Sequence, residues 1–74
     1  RSSNAFYMQA LVYQRLGQMA EAQQSFDRAI RLDPRNPVAL NAYATFLCEQ
    51  GRYDDADPYF RRALANPLPN PLAA

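Results

Sequence analysis

Apolar side chains recur along this chain at helical spacing, in four blocks. Phe6, Ala10 and Tyr13 stand at i, i+4 and i+7 and form one stripe; beyond Gly17, Met19, Ala22, Phe26, Ala29 and Ile30 form a second. Leu40, Tyr43, Ala44 and Leu47 make a third, and beyond Gly51 a fourth runs through Tyr53, Ala56, Phe60, Ala63 and Leu64. Residues three and four apart share one side of a helix, so each stripe marks a face to be buried. The pattern predicts an all-α chain of two helix-turn-helix hairpins, four helices in total, each hairpin closing on its own two stripes and followed by a Pro-rich C-terminal tail.

The punctuation between blocks agrees. A helix commonly ends on a left-handed residue just past its last turn, where a Cβ is unwelcome, and Gly17 and Gly51 occupy those places. In Asp33-Pro34-Arg35-Asn36-Pro37 the first proline stops the preceding helix, Asn36 is placed to cap the next, and Pro37 takes its first position. Pro58 falls about one turn into the last helix, where a slight distortion rather than a stop is expected.

Shifting the chain against itself superimposes Gly17 on Gly51, an offset of 34 residues. Ala5 then meets Ala39, Ala10 meets Ala44, Ala22 meets Ala56, Phe26 meets Phe60, Arg28 meets Arg62 and Ala29 meets Ala63. Small and aromatic residues therefore recur where the helices of a hairpin must touch. The units read as 3–36 and 37–70, with 71–74 as the start of a further, truncated copy or a tail, since Asn36-Pro37 recurs as Asn70-Pro71. Opening on Arg1 and stopping in a Pro-rich stretch, the chain reads as a piece of something longer. A terminal hairpin without its neighbour leaves an apolar face uncovered, so self-association through these faces is expected.

Seventy-four residues make one small domain that buries roughly 60% of the surface of its unfolded chain. With 49% apolar and 20% charged residues the composition is globular. Eight basic and seven acidic side chains, interspersed to a net charge of +1, give no footprint for nucleic acid or an anionic membrane surface. The single cysteine, Cys48, has no internal disulfide partner, and the absence of histidine removes the usual zinc constellations and Cys/His or Ser/His pairs. Without a glycine-rich phosphate loop or a convergent acid/base set, the sequence points away from an enzyme and calls for no cofactor. No apolar run approaches the roughly 18 residues of a membrane span.

Phe6, Ala10, Tyr13, Gly17, Ala22, Phe26, Ala29 and Pro34 fall in the signature places of the tetratricopeptide repeat, which the chain resembles over nearly its whole length. The second unit departs from the pattern at Leu68, which stands between Pro67 and Pro69 where the terminal proline belongs. Three stretches also resemble the type IV pilus biogenesis and stability proteins, the tetratricopeptide lipoproteins that serve as pilotins for the outer-membrane secretin. These are residues 32–37, residues 40–53 with their Asn41-Ala42-Tyr43 and Phe46-Leu47-Cys48 runs, and residues 59–68 with the exit Ala65-Asn66-Pro67-Leu68. That resemblance implies a bacterial protein on the periplasmic side of the outer membrane that helps secretin subunits assemble. The chain lacks that family's lipid-attachment cysteine near an N-terminus, and Pro69-Asn70-Pro71 is shorter than the family's exit.

In the tetratricopeptide register the first helix of each unit lines a concave surface, and its residues not used in packing are Asn4, Tyr7, Leu11, Gln14 and Arg15, then Val38, Asn41, Thr45, Cys48 and Glu49. This mixture suits an extended or helical protein segment held by apolar contact and amide hydrogen bonds, with a solvated face as the plainer alternative. Tyr7 and Leu11 stand where tetratricopeptide co-chaperones place the Lys and Asn of a carboxylate clamp, so chaperone tails are disfavoured. Cys48 reads as a quiet, partly buried thiol. Asp54, Asp55 and Asp57 read as acidic residues favoured at a helix N-terminus rather than as a calcium site. Among the aromatics, Tyr53, Phe26 and Phe60 are expected in the core, leaving Tyr7 and Tyr59 for exposed contacts.

Overall fold

Local chemistry sets the helix boundaries. The computed structural model describes residues 2–65. In it Ser2, extended at φ −96°, accepts from the Ala5 amide at 3.1 Å and opens α1 (Ser3–Arg15). After α1 the Gly17 amide donates to the Gln14 carbonyl and the Gln18 amide to that of Tyr13, a paired closure that requires a left-handed residue. Gly17 supplies it at φ +78°. The same closure recurs one unit later, where the Gly51 amide bonds Cys48, the Arg52 amide bonds Leu47, and Gly51 has φ +77°.

The chain then forms α2 (Met19–Leu32), which Asp33 leaves in extended conformation ahead of Pro34. Asn36 starts α3 (Pro37–Glu49), its Oδ1 accepting from the Val38 and Ala39 amides, with Pro37 in the first turn. The last helix, α4 (Tyr53–Ala65), runs unbroken through Pro58.

Because a Cβ on either turn glycine would meet no atom within 4 Å, substitution there costs backbone strain alone. Gly17→Ala and Gly51→Ala are each expected to lower stability by about 1–2 kcal/mol, and by similar amounts, as read by urea titration. A neutral result at either turn would mean that its left-handed closure does not persist in solution.

The two hairpins pair α1 with α2 and α3 with α4, and α3 also packs against α1 and α2. Ala10, Ala22, Ala29, Ala39 and Ala44 are fully buried and let the helices approach closely. Between the hairpins Phe26 of α2 stacks on Tyr43 of α3 at 5.4 Å and leans on Phe46 at 5.2 Å. A polar junction accompanies this aromatic seam: the buried Ser3 hydroxyl donates to the Ala29 carbonyl at 2.8 Å, while the Asn36 side-chain amide donates to Ser3 Oγ and to Asn4 Oδ1.

Among the described residues the four-helix all-α architecture matches the sequence pattern, but several side chains do not follow the stripes. Tyr53, expected in the core, is 67% exposed, at the first residue of α4, where no further turn of its own helix precedes it. Met19, first in α2, is exposed for the same reason. Leu64 is exposed as well, and no described helix lies beyond it. Conversely, Phe46 belongs to no expected stripe and is fully buried. The truncated copy at residues 71–74, the unusual Leu68 and the rest of the Pro-rich tail lie outside the described residues.

Candidate interaction surface

The first helices of the two hairpins, α1 and α3, lie side by side and carry all ten residues assigned to the concave surface. Tyr7, Leu11 and Cys48 are half-buried and rest against the core, so their bodies are held while one side stays open to solvent. Toward the C-terminal ends of these helices the Gln14 side-chain amide donates to the Glu49 carboxylate and bridges α1 to α3. Arg15 beside it is exposed. At the opposite end Asn4 is engaged with Asn36, and Val38 is half-buried in the first turn of α3. Asn41 and Thr45 are exposed between these ends, and the Thr45 hydroxyl donates to the Asn41 carbonyl at 2.9 Å.

The face therefore has half-buried apolar residues flanked by polar side chains, several of them already tied to one another. Its one acid and one base, Glu49 and Arg15, give it no net charge. Such a surface can hold a protein segment through apolar contact and amide hydrogen bonds, and it offers no strong field to select a charged one.

Tyr7 and Tyr59, expected to be exposed, are both half-buried. The Tyr59 ring tilts against Tyr43 at 4.7 Å and lies under the Arg62 guanidinium. The Tyr59 and Tyr43 rings help line a cleft of about 360 Å³ with Arg52, Pro58 and Arg62. Its cations serve the fold: Arg52 bridges Asp55 and Gln23, and Arg62 donates to the Pro34 carbonyl at 2.9 Å. Burial pushes the Tyr43 phenol up to about 12, helped by the charge of Asp27 and by Tyr59 and opposed by a Gln23 hydrogen bond and Arg52. Asp55 and Asp57 pair with Arg52 and Arg61, and no cluster of three metal-ligating side chains occurs among the described residues. No helix of the described residues is long and apolar enough to cross a membrane.

The profile of the tetratricopeptide repeat family matches residues 7–73. A TPR repeat-containing protein of Methanocaldococcus jannaschii is 30% identical over 63 residues, covering 85% of this chain and 11% of that protein. An uncharacterized protein of Haemophilus influenzae is 33% identical over 55 residues, covering 74% of this chain and 31% of that protein. The chain thus spans only a minor part of the length of either relative. No solved structure matches it significantly.

Proposed function

This chain belongs to the tetratricopeptide repeat family, a fold of protein interaction, and we propose that its α1/α3 face holds a segment of a partner protein in type IV pilus assembly. What supports a binding role is the packing of α1 against α3, with Tyr7, Leu11 and Cys48 half-buried and Asn41 and Thr45 exposed on these two helices. The role is non-catalytic. The pilus assignment is supported by the resemblance of residues 32–37, 40–53 and 59–68 to the secretin pilotins. It makes a secretin subunit the partner and the periplasmic side of the bacterial outer membrane the location. Self-association through the uncovered outer faces is part of the same reading. A second reading, a tetratricopeptide module of an unrelated complex, is favoured by a family match to the repeat in general.

The test is a cross-linked pull-down from a bacterial envelope with the full-length protein, Leu11→Glu and Asn41→Arg. Recovery of the secretin subunit with the unaltered protein, and its loss with both variants, supports the proposal. Equal recovery by all three rejects the α1/α3 face. Recovery of subunits from another complex, lost with both variants, supports the face and replaces the pilus assignment with the second reading.

A further inference from the structure

Acidic and basic side chains are interspersed along the sequence, but the fold sorts them by end. The Gln14–Glu49 bridge sets the C-termini of α1 and α3 at one end of the hairpins, and the bonds from Asn36 to Ser3 and Asn4 set their N-termini at the other. The first end holds Glu21, Glu49, Asp54 and Asp55 against Arg15 and Arg52. The second holds Arg28, Arg31 and Arg35 on the end of α2 and its loop to α3, and Arg62 of α4 joins them by donating to the Pro34 carbonyl at 2.9 Å. Asp33 is the one carboxylate within residues 28–36, and it accepts from the backbone amide of Arg35 at 3.1 Å. Asp27, next to Arg28, is half-buried, and its charge acts on Tyr43. Arg28, Arg31 and Arg35 are exposed, and their guanidiniums meet no hydrogen-bond or ion-pair partner among the described residues.

Helix dipoles account for part of this pattern. Glu21, Asp54 and Asp55 lie in first turns and Arg31 and Arg62 in last turns, where each sign is favoured. That reason does not extend to Arg28, which stands before the last turn of α2. It runs against Arg35, which directly precedes the Asn36 cap of α3, a helix with no acid in its first turn. Residues 66–74 contain no charged side chain, so the sequence after α4 supplies no counterion.

We infer that this arginine rim is a second docking surface, independent of the α1/α3 face, for an acidic segment of a partner protein. Carboxylates spaced along such a segment pair with the guanidiniums of Arg28, Arg31 and Arg35, whose planar forks suit that geometry. Leu32, beside Arg31 and 52% exposed, offers an apolar contact that a phosphate backbone would not use. A nucleic acid strand continuing along the hairpins would also run onto the acidic end, about 20 Å away across the 13 residues of α3.

Fluorescence anisotropy of a labelled glutamate–leucine peptide at low salt tests this with the full-length protein. Two double variants are compared with it: Arg31→Gln with Arg35→Gln, and Gln18→Glu with Ala20→Glu. The second pair lowers the net charge by the same amount at the opposite end, where α2 begins. All four residues are exposed, and circular dichroism checks that the helices remain. The unaltered protein is expected to bind the peptide and to release it as salt rises. The arginine variant should bind roughly fivefold more weakly, and the glutamate variant should keep the unaltered affinity. Equal weakening of both variants would show an effect of net charge and overturn the rim. No binding by the unaltered protein at low salt would overturn it as well. Tighter binding of a single-stranded oligonucleotide or of phosphatidylglycerol vesicles than of the peptide, lost in the arginine variant, would overturn the acidic protein segment as the occupant. None of these results bears on the α1/α3 face.

Discussion

Phe26→Ala is expected to unfold most of the chain at room temperature. Truncating a buried phenylalanine costs about 3–5 kcal/mol through lost burial and the cavity left behind. Total stability of natural domains is only about 0.05–0.15 kcal/mol per residue, and a chain of 74 residues at the low end of that range holds only about 4 kcal/mol. Phe26 is fully buried and is the one α2 ring that touches both Tyr43 and Phe46, so its loss opens the seam between the hairpins. Far-ultraviolet circular dichroism should show helix content falling by more than half at 25 °C. Phe60→Ala, at the equivalent but half-buried place on α4, should lose less. Equal tolerance of both substitutions would show that the seam is not packed as described.

Between pH 10 and 12 the chain should lose roughly 2–3 kcal/mol of stability through Tyr43. The folded phenol keeps its proton up to about 12, chiefly because burial disfavours the phenolate, whereas an unfolded tyrosine releases its proton near 10. In that window the unfolded state binds fewer protons than the folded one, so stability falls as pH rises. Below pH 10 both states are protonated and the contribution is intact. Tyr43→Phe removes the titrating group, so its melting temperature should fall less steeply from pH 10 to 12, whatever the substitution does at neutral pH. Parallel curves for the two proteins would contradict the assignment to Tyr43.

Much of this fold could be read from residues whose chemistry is local. Gly17 and Gly51 mark turns that need a left-handed residue, Asn36-Pro37 writes a helix start, and the repeated alanines mark close helix contacts, as found for all of them except the exposed Ala5 and the half-buried Ala63. The seam between hairpins was harder to see. Helix α3 touches α2 as well as α4, so it carries two apolar faces, and one stripe per helix leaves Phe46 unassigned. The closely set Tyr43, Ala44, Phe46 and Leu47 were the available signal, since a stripe that broad points to burial on two sides. Tyr53 and Met19 misled in the opposite sense: helical spacing says which way a residue points, but not how little cover the first residue of a helix receives. Ser3, buried against the Ala29 carbonyl, carried no periodic signal at all.

The candidate face came from a different source. Spacing alone shows only which residues of α1 and α3 are left over from the stripes; the family register is what places them together on a concave side. The structure adds that Gln14 reaches Glu49 of the other unit and that Asn36, the cap of α3, reaches back to Asn4, partnerships that helical spacing does not contain.

The claim that the α1/α3 face receives the partner is tested most directly by site-specific photocross-linking in the full-length protein in cells. A photoreactive side chain is placed either at Thr45, exposed on α3, or at Gln24, exposed on α2. Adducts to a partner protein formed from position 45 and absent from position 24 are the expected result. Adducts formed from position 24 and absent from position 45 would contradict it.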